Sequence, residues 1–107
     1  MSKQGFFDQH WLDHKDRPAG GVTSGRGFTI SWQNGPLGSG QDRREPNGAF
    51  VEDVIAAVIS RIEFYQRSEF ASDYNARALV SLKEAAAALD QRTKDREARG
   101  VEGTHGL

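Results

Sequence analysis

The fold is decided by residues 72 to 100, SDYNARALVSLKEAAAALDQRTKDREARG. Proline is absent from this stretch, and glycine occurs only as its last residue. Leu82, Ala85 and Leu89 step by three and four and therefore share one face of an α-helix. The same face continues through Arg92, Arg96 and Arg99. Ser72 is a good N-cap, with Asp73 in the first turn and Asn75 three residues on, close to a capping box with Asn in place of Glu or Gln. Gly100 supplies the C′ stop. The pattern predicts a helix from Ser72 to Arg99 whose buried side holds Leu79, Leu82, Ala85, Ala86 and Leu89. The four alanines from Ala85 to Ala88 read equally as a close helix crossing or as plain helix propensity.

N-terminal to this stretch, Val51, Val54, Ile55, Val58, Ile62 and Tyr65 form a second apolar stripe, predicting a helix over residues 49–66 with Asn47 as its N-cap and Glu52 and Asp53 in its early turns. Residues 67–71 are the connection, and its brevity makes the two helices antiparallel neighbours. A helix of roughly eighteen residues beside one of roughly twenty-eight leaves an overhang on the order of 15 Å at 1.5 Å per residue. The Arg row would then project past the hairpin's own core, toward the strand segment or another subunit.

Composition changes at Gly48: all three prolines and nine of the twelve glycines lie at or before it, so turn chemistry and helix chemistry are segregated. Phe28, Ile30 and Trp32 alternate with polar residues, predicting a half-buried strand closed by the turn at Asn34-Gly35-Pro36. A weaker extended segment follows over residues 37–44. A single strand must pair within the chain or with a second copy. Residues 1–27 read as an N-terminal arm, residues 28–46 as a strand and turn segment, and residues 47–107 as a helical hairpin with a tail. Together they make one α+β domain.

Charge and composition exclude several classes. The formal net charge of −1 over 107 residues disfavours a generic nucleic-acid coat, which would be clearly basic. Among the cations, ten are Arg and four Lys, which favours forked recognition of phosphate or carboxylate. There is no cysteine, hence no disulfide or thiolate metal site. The N-terminus has no apolar signal region and no run approaches membrane-spanning length, so a cytoplasmic location is expected and a membrane partner is not. His10, His14 and His105 have no carboxylate pattern to complete a metal site. The segment from Gly35 to Gly40 lacks the Lys-Ser/Thr ending of a phosphate loop. No catalytic constellation, cofactor motif or metal site is read from the sequence.

The candidate binding residues fall at two ends of the hairpin. Arg92, Arg96 and Arg99 suit an anion, although pairing with Asp90, Asp95, Glu97 or the helix C-terminus is the plainer reading. Tyr65 and Asn75 sit at the connecting end, where packing and capping compete with stacking on a base and hydrogen bonding to its edge. A site that uses both ends has to be shared between subunits. Arg26, Arg43 and Arg44 are candidates for a second site, with loop charges the favoured alternative.

The run from Asn47 to Val54, residues Arg61 to Gln66, Phe70 with Asn75, and above all residues 92–105, RTKDREARGVEGTH, resemble the helical-hairpin domain shared by phage anti-CBASS and anti-Thoeris proteins. The likeness covers about residues 28–106. The preceding strand makes the chain look more like the Thoeris anti-defence one type than the all-helical anti-CBASS type. Resemblance implies a non-enzymatic sponge in the host cytoplasm, a homo-oligomer between dimer and hexamer. Such a sponge sequesters a cyclic nucleotide signal, either glycocyclic ADP-ribose or, at separate sites, cyclic di- and trinucleotides. Carried onto this sequence, it implies base stacking by Tyr65 or Phe64, polar readout by Asn75, and pyrophosphate binding by Arg92 and Arg96 with Arg99 beside them. Two departures stand out: Ser72 lies where many relatives carry Cys, and the arm up to Arg26 has no counterpart. The competing classes are an Arg-rich nucleic-acid-binding regulator, a ligand-free oligomerisation module and a signal-degrading enzyme.

Overall fold

The computed structural model describes residues 5–35 and 45–98 and has the α+β architecture expected. Three strands, β1 (Phe7–Leu12), β2 (Pro18–Gly25) and β3 (Phe28–Trp32), precede two helices, α1 (Val51–Gln66) and α2 (Asp73–Ala98). The strands and the helices form two compact units, divided after Phe50.

In the first unit the sheet order is β1-β2-β3 with both pairings antiparallel, so β2 is central. Residues 7–25, which the sequence alone assigned to an arm, thus hold the two strands that pair with β3 inside the chain. The difference has a physical reason. β2 reads PAGGVTSG, a composition that favours loops, yet its glycines lie where neighbours leave no room for a side chain. A Cβ on Gly21 would lie 2.5 Å from the Gln9 carbonyl oxygen, and one on Gly25 would lie 2.6 Å from the Phe28 ring. Pro18, at the first position of its strand, forfeits no central ladder bond.

Register puts Phe28, Ile30 and Trp32 opposite Gly25, Thr23 and Gly21, on one face, as their alternation predicts. On that face the Trp32 indole donates to Thr23 Oγ1 at 2.8 Å, and the Thr23 hydroxyl donates to Asp8 at 2.8 Å. His10 Nε2 lies 2.9 Å from the same carboxylate oxygen. The β2–β3 connection is Arg26-Gly27, with Gly27 in the left-handed region at φ +80°.

Asn47 does not cap α1, which begins at Val51. Its side chain instead grips Asn34: Oδ1 accepts from Asn34 N at 2.8 Å and Nδ2 donates to Asn34 O at 3.0 Å. Ala49 pairs in parallel beside Trp32, donating to Ser31 O at 2.8 Å and accepting from Gln33 N at 2.9 Å. Gly48 is needed here, because its Cβ would fall 2.6 Å from the Trp32 carbonyl. The short-range logic of a cap loses to a backbone ladder that extends the edge of the sheet. The extended segment expected over residues 37–44 lies outside the described residues.

In the second unit, α1 and α2 form the expected antiparallel hairpin. The half-buried positions on α1 include Glu52, Ile55, Ile59, Ile62 and Gln66, and on α2 they include Asn75, Leu79, Leu82, Ala86, Leu89, Thr93 and Arg96. Both series alternate steps of three and four, which is the seam of an antiparallel coiled coil. Ala85, expected on the buried side, is exposed, because a 3.5-residue seam passes through Ala86. Lys83–Glu63 at 3.2 Å and Arg92–Glu52 at 3.8 Å mark the register. Arg92 therefore lies beside the first turn of α1. The ten-residue excess of α2 (26 residues against 16) is shared between both ends of the hairpin, and the Arg92 end does not take it all. No described residue of either helix is fully buried.

Candidate ligand pocket at the helix connection

The turn between the helices is built by side chains that bond to backbone. Gln66, the last residue of α1, accepts from Ser72 N at 2.9 Å and donates to Ser72 O at 3.1 Å. The Ser68 hydroxyl donates to Tyr65 O at 2.6 Å and accepts from Phe70 N at 3.1 Å. Ser72 caps α2 as expected, its Oγ accepting from Asn75 N at 3.0 Å. The reciprocal half of the capping box is absent. Gln66 already serves Ser72 N, and the Asn75 side chain turns back to donate to Phe70 O at 3.1 Å.

This arrangement brings Tyr65, Phe70 and Asn75 around a pocket of about 420 Å³ that is open to solvent. Phe70 is highly exposed, at 69%. Beside the pocket, the Phe64 and Tyr65 rings lie 6.3 Å apart and tilted by 50°. The Arg61 guanidinium stands over both, 5.2 Å from the Phe64 centroid and 5.1 Å from that of Tyr65, and Arg61 Nε donates to Tyr65 Oη at 3.2 Å. Tyr74, 78% exposed, carries Arg77 over its ring at 5.8 Å. The chemistry on offer is a set of aromatic faces, an amide edge and nearby fixed positive charge, suited to a planar heterocycle with an anionic attachment. Among the described residues no group of three or more His, Cys, Asp or Glu is placed to hold a metal ion.

Tyr65 and Asn75 are thus brought together, with Phe64 adjoining through Arg61. Arg92 and Arg96 lie in the distal turns of α2, Arg92 roughly 25 Å from Asn75 at 1.5 Å per residue, and one chain does not join the two groups. Arg92 is exposed and Arg96 half-buried. Arg26 is exposed at the β2–β3 turn. Arg43, Arg44 and Arg99 lie outside the described residues. Sequence reasoning missed Phe70 and Arg61 as site residues. The spacing of Arg61 to Phe64 and Tyr65, three and four residues along one helix, was the signal that would have found the second.

No family model matches the chain. Over 82 residues it is 44% identical to Thoeris anti-defense 1 of Bacillus phage SBSphiJ7, a match spanning 77% of this chain and 55% of that protein. Over that stretch the chain is similar to the Thoeris anti-defence family. It spans about half the length of the curated relative it matches. Any 82 consecutive residues of a 107-residue chain include residues 26–82, so the stretch shared with the Thoeris anti-defence protein contains β3, α1, the connection and the pocket.

Proposed function

We propose that this protein is a phage-type anti-defence sponge that binds a cyclic nucleotide immune signal and holds it intact. The observation that carries this reading is the pocket where Tyr65, Phe70 and Asn75 converge, inside the stretch shared with Thoeris anti-defense 1. The base stacks on Tyr65, with Phe64 and Phe70 as flanking rings, and Asn75 reads its edge. Stacking of this kind contributes about 1–3 kcal/mol per base. The phosphates are taken by Arg92 and Arg96, joined by Arg99, from a second copy of the chain, because Arg92 and Arg96 stand too far along α2 to reach the pocket of their own chain. The pairing of Arg92 with Glu52 is long at 3.8 Å and more than half of the Arg side chain is exposed, so a phosphate competes for it readily. The assembly is a homo-oligomer between dimer and hexamer acting in the host cytoplasm. Glycocyclic ADP-ribose is the proposed ligand, with cyclic di- or trinucleotides at a separate site to which Arg26, Arg43 and Arg44 contribute.

Incubation with a panel of glycocyclic ADP-ribose isomers and cyclic di- and trinucleotides, removal of free ligand, and heat denaturation separates the alternatives. Release of unaltered ligand supports the sponge. A converted product identifies an enzyme, and an empty protein identifies a scaffold. Arg92→Ala and Arg96→Ala are expected to abolish capture while leaving helical circular dichroism intact, and full capture by both variants sinks the assignment.

A further inference from the structure

Resting on the stacking role proposed for Tyr65, we infer that Arg61 is a positioning residue of the pocket, a guanidinium that locks the Tyr65 ring in place and commits its hydroxyl hydrogen to the ligand. Arg61 lies one helical turn before Tyr65, and its guanidinium carbon stands 5.1 Å and 5.2 Å from the Tyr65 and Phe64 centroids. Those rings are tilted by 50° and do not stack on each other, so the contact common to both is the cation. The bond from Arg61 Nε to Tyr65 Oη, at 3.2 Å, adds a tether at the far end of the ring.

A Tyr near the end of a helix, half-exposed, has free rotation about its ring axis unless something holds the plane. A planar cation over the face together with a bond at the phenol supplies that restraint. The bond also has a direction. Guanidinium donates only, so Tyr65 Oη is the acceptor and its own hydrogen is left for another acceptor, such as a ring nitrogen or carbonyl of the bound heterocycle. Lysine in this place would keep the charge and lose both the flat face and the fork. An ordinary helix-surface contact at this spacing would alter melting slightly and leave ligand affinity unchanged.

The chain has two tyrosines, so in a Tyr74→Phe background the tyrosine ring signals in NMR report Tyr65 alone. In that background, R61A and R61K are both expected to shift the Tyr65 Cζ resonance and speed ring flipping. With a glycocyclic ADP-ribose isomer as the probe, both lose affinity by about two- to fivefold, the range of an exposed cation–π contact. The loss caused by R61A is expected to be smaller in a Tyr65→Phe background than in the parent, because the phenol tether is then already gone while the contact of the cation with the ring remains. Circular dichroism checks folding, and should R61A lose helix, R61K carries the same test. Unchanged Tyr65 resonances in both variants, or affinities within twofold of the parent, overturn the inference. A parent protein that retains no ligand of the panel overturns the sponge instead, and the ring resonances then decide whether Arg61 sets Tyr65.

Discussion

Asp13 organises the connection between β1 and β2 with both of its carboxylate oxygens. Oδ1 accepts from the backbone N–H groups of Arg17 at 3.0 Å and Lys15 at 2.8 Å, and Oδ2 accepts from Arg17 Nε at 3.0 Å. Led by the Arg17 backbone bond, these donors together outweigh the opposing effect of desolvation and lower its pKa from 3.8 to about 2. A carboxylate whose folded pKa is depressed stabilises the fold above its unfolded value and loses that contribution as pH falls through the folded one. The strand unit should therefore loosen between about pH 3.8 and pH 2, visible in the fluorescence of Trp11 and Trp32, and Asp13→Asn should remove most of that pH dependence. Single residues were the least legible scale. Asn47 has every property of a cap, yet the Asn34 backbone claims both ends of its amide. Arg61 reads as one more surface charge until the turn of α1 sets it over two rings.

Among the elements, the helices and β3 could be read almost to the residue, and β1 and β2 could not. Apolar spacing and the absence of proline and glycine settle α1 and α2, because helix signals are local. β2 was invisible for the opposite reason: its side chains are small where β1, β3 and their aromatics press against it, and that fit exists only once three strands are side by side. The pocket was half legible. Tyr65 and Asn75 end and begin helices, but Phe70 belongs to the turn, whose path follows from Ser68, Gln66 and Ser72. Ser72→Ala should cost about 1 kcal/mol through the lost N-cap. Gln66→Ala removes two bonds and should cost about 1–3 kcal/mol at a typical 0.5–1.5 kcal/mol each. Urea unfolding followed at 222 nm measures both, and a Gln66→Ala variant as stable as the parent would refute this account of the turn.

At the scale of the whole molecule, the outstanding fact is how little is hidden: among the described residues only Gly20 and Gly21 are buried. Val51, Val58 and Val80 remain open on the helices, at 49%, 42% and 59% exposure. A two-helix hairpin without a dry core is marginal in water, since helices in proteins are held mainly by packing of their apolar faces. The expected outcome is self-association at micromolar concentration, seen as a mass at or above the dimer in sedimentation velocity, with Val58→Asp shifting the distribution toward monomer. A monomer with full helicity and full ligand capture would contradict the shared pocket.

The Gln66–Ser72 clasp bears on how copies meet. Two copies of a helical hairpin can associate closed against closed, or each can straighten and trade its second helix with the other. Straightening would forfeit the two bonds from Gln66 to Ser72, the cap on Asn75 and the Ser68 hydroxyl's hold on Tyr65, all at once. The connection thus acts as a latch against domain swapping. If copies associate, the clasp favours docking of finished hairpins, each with the turn of the proposed pocket already folded.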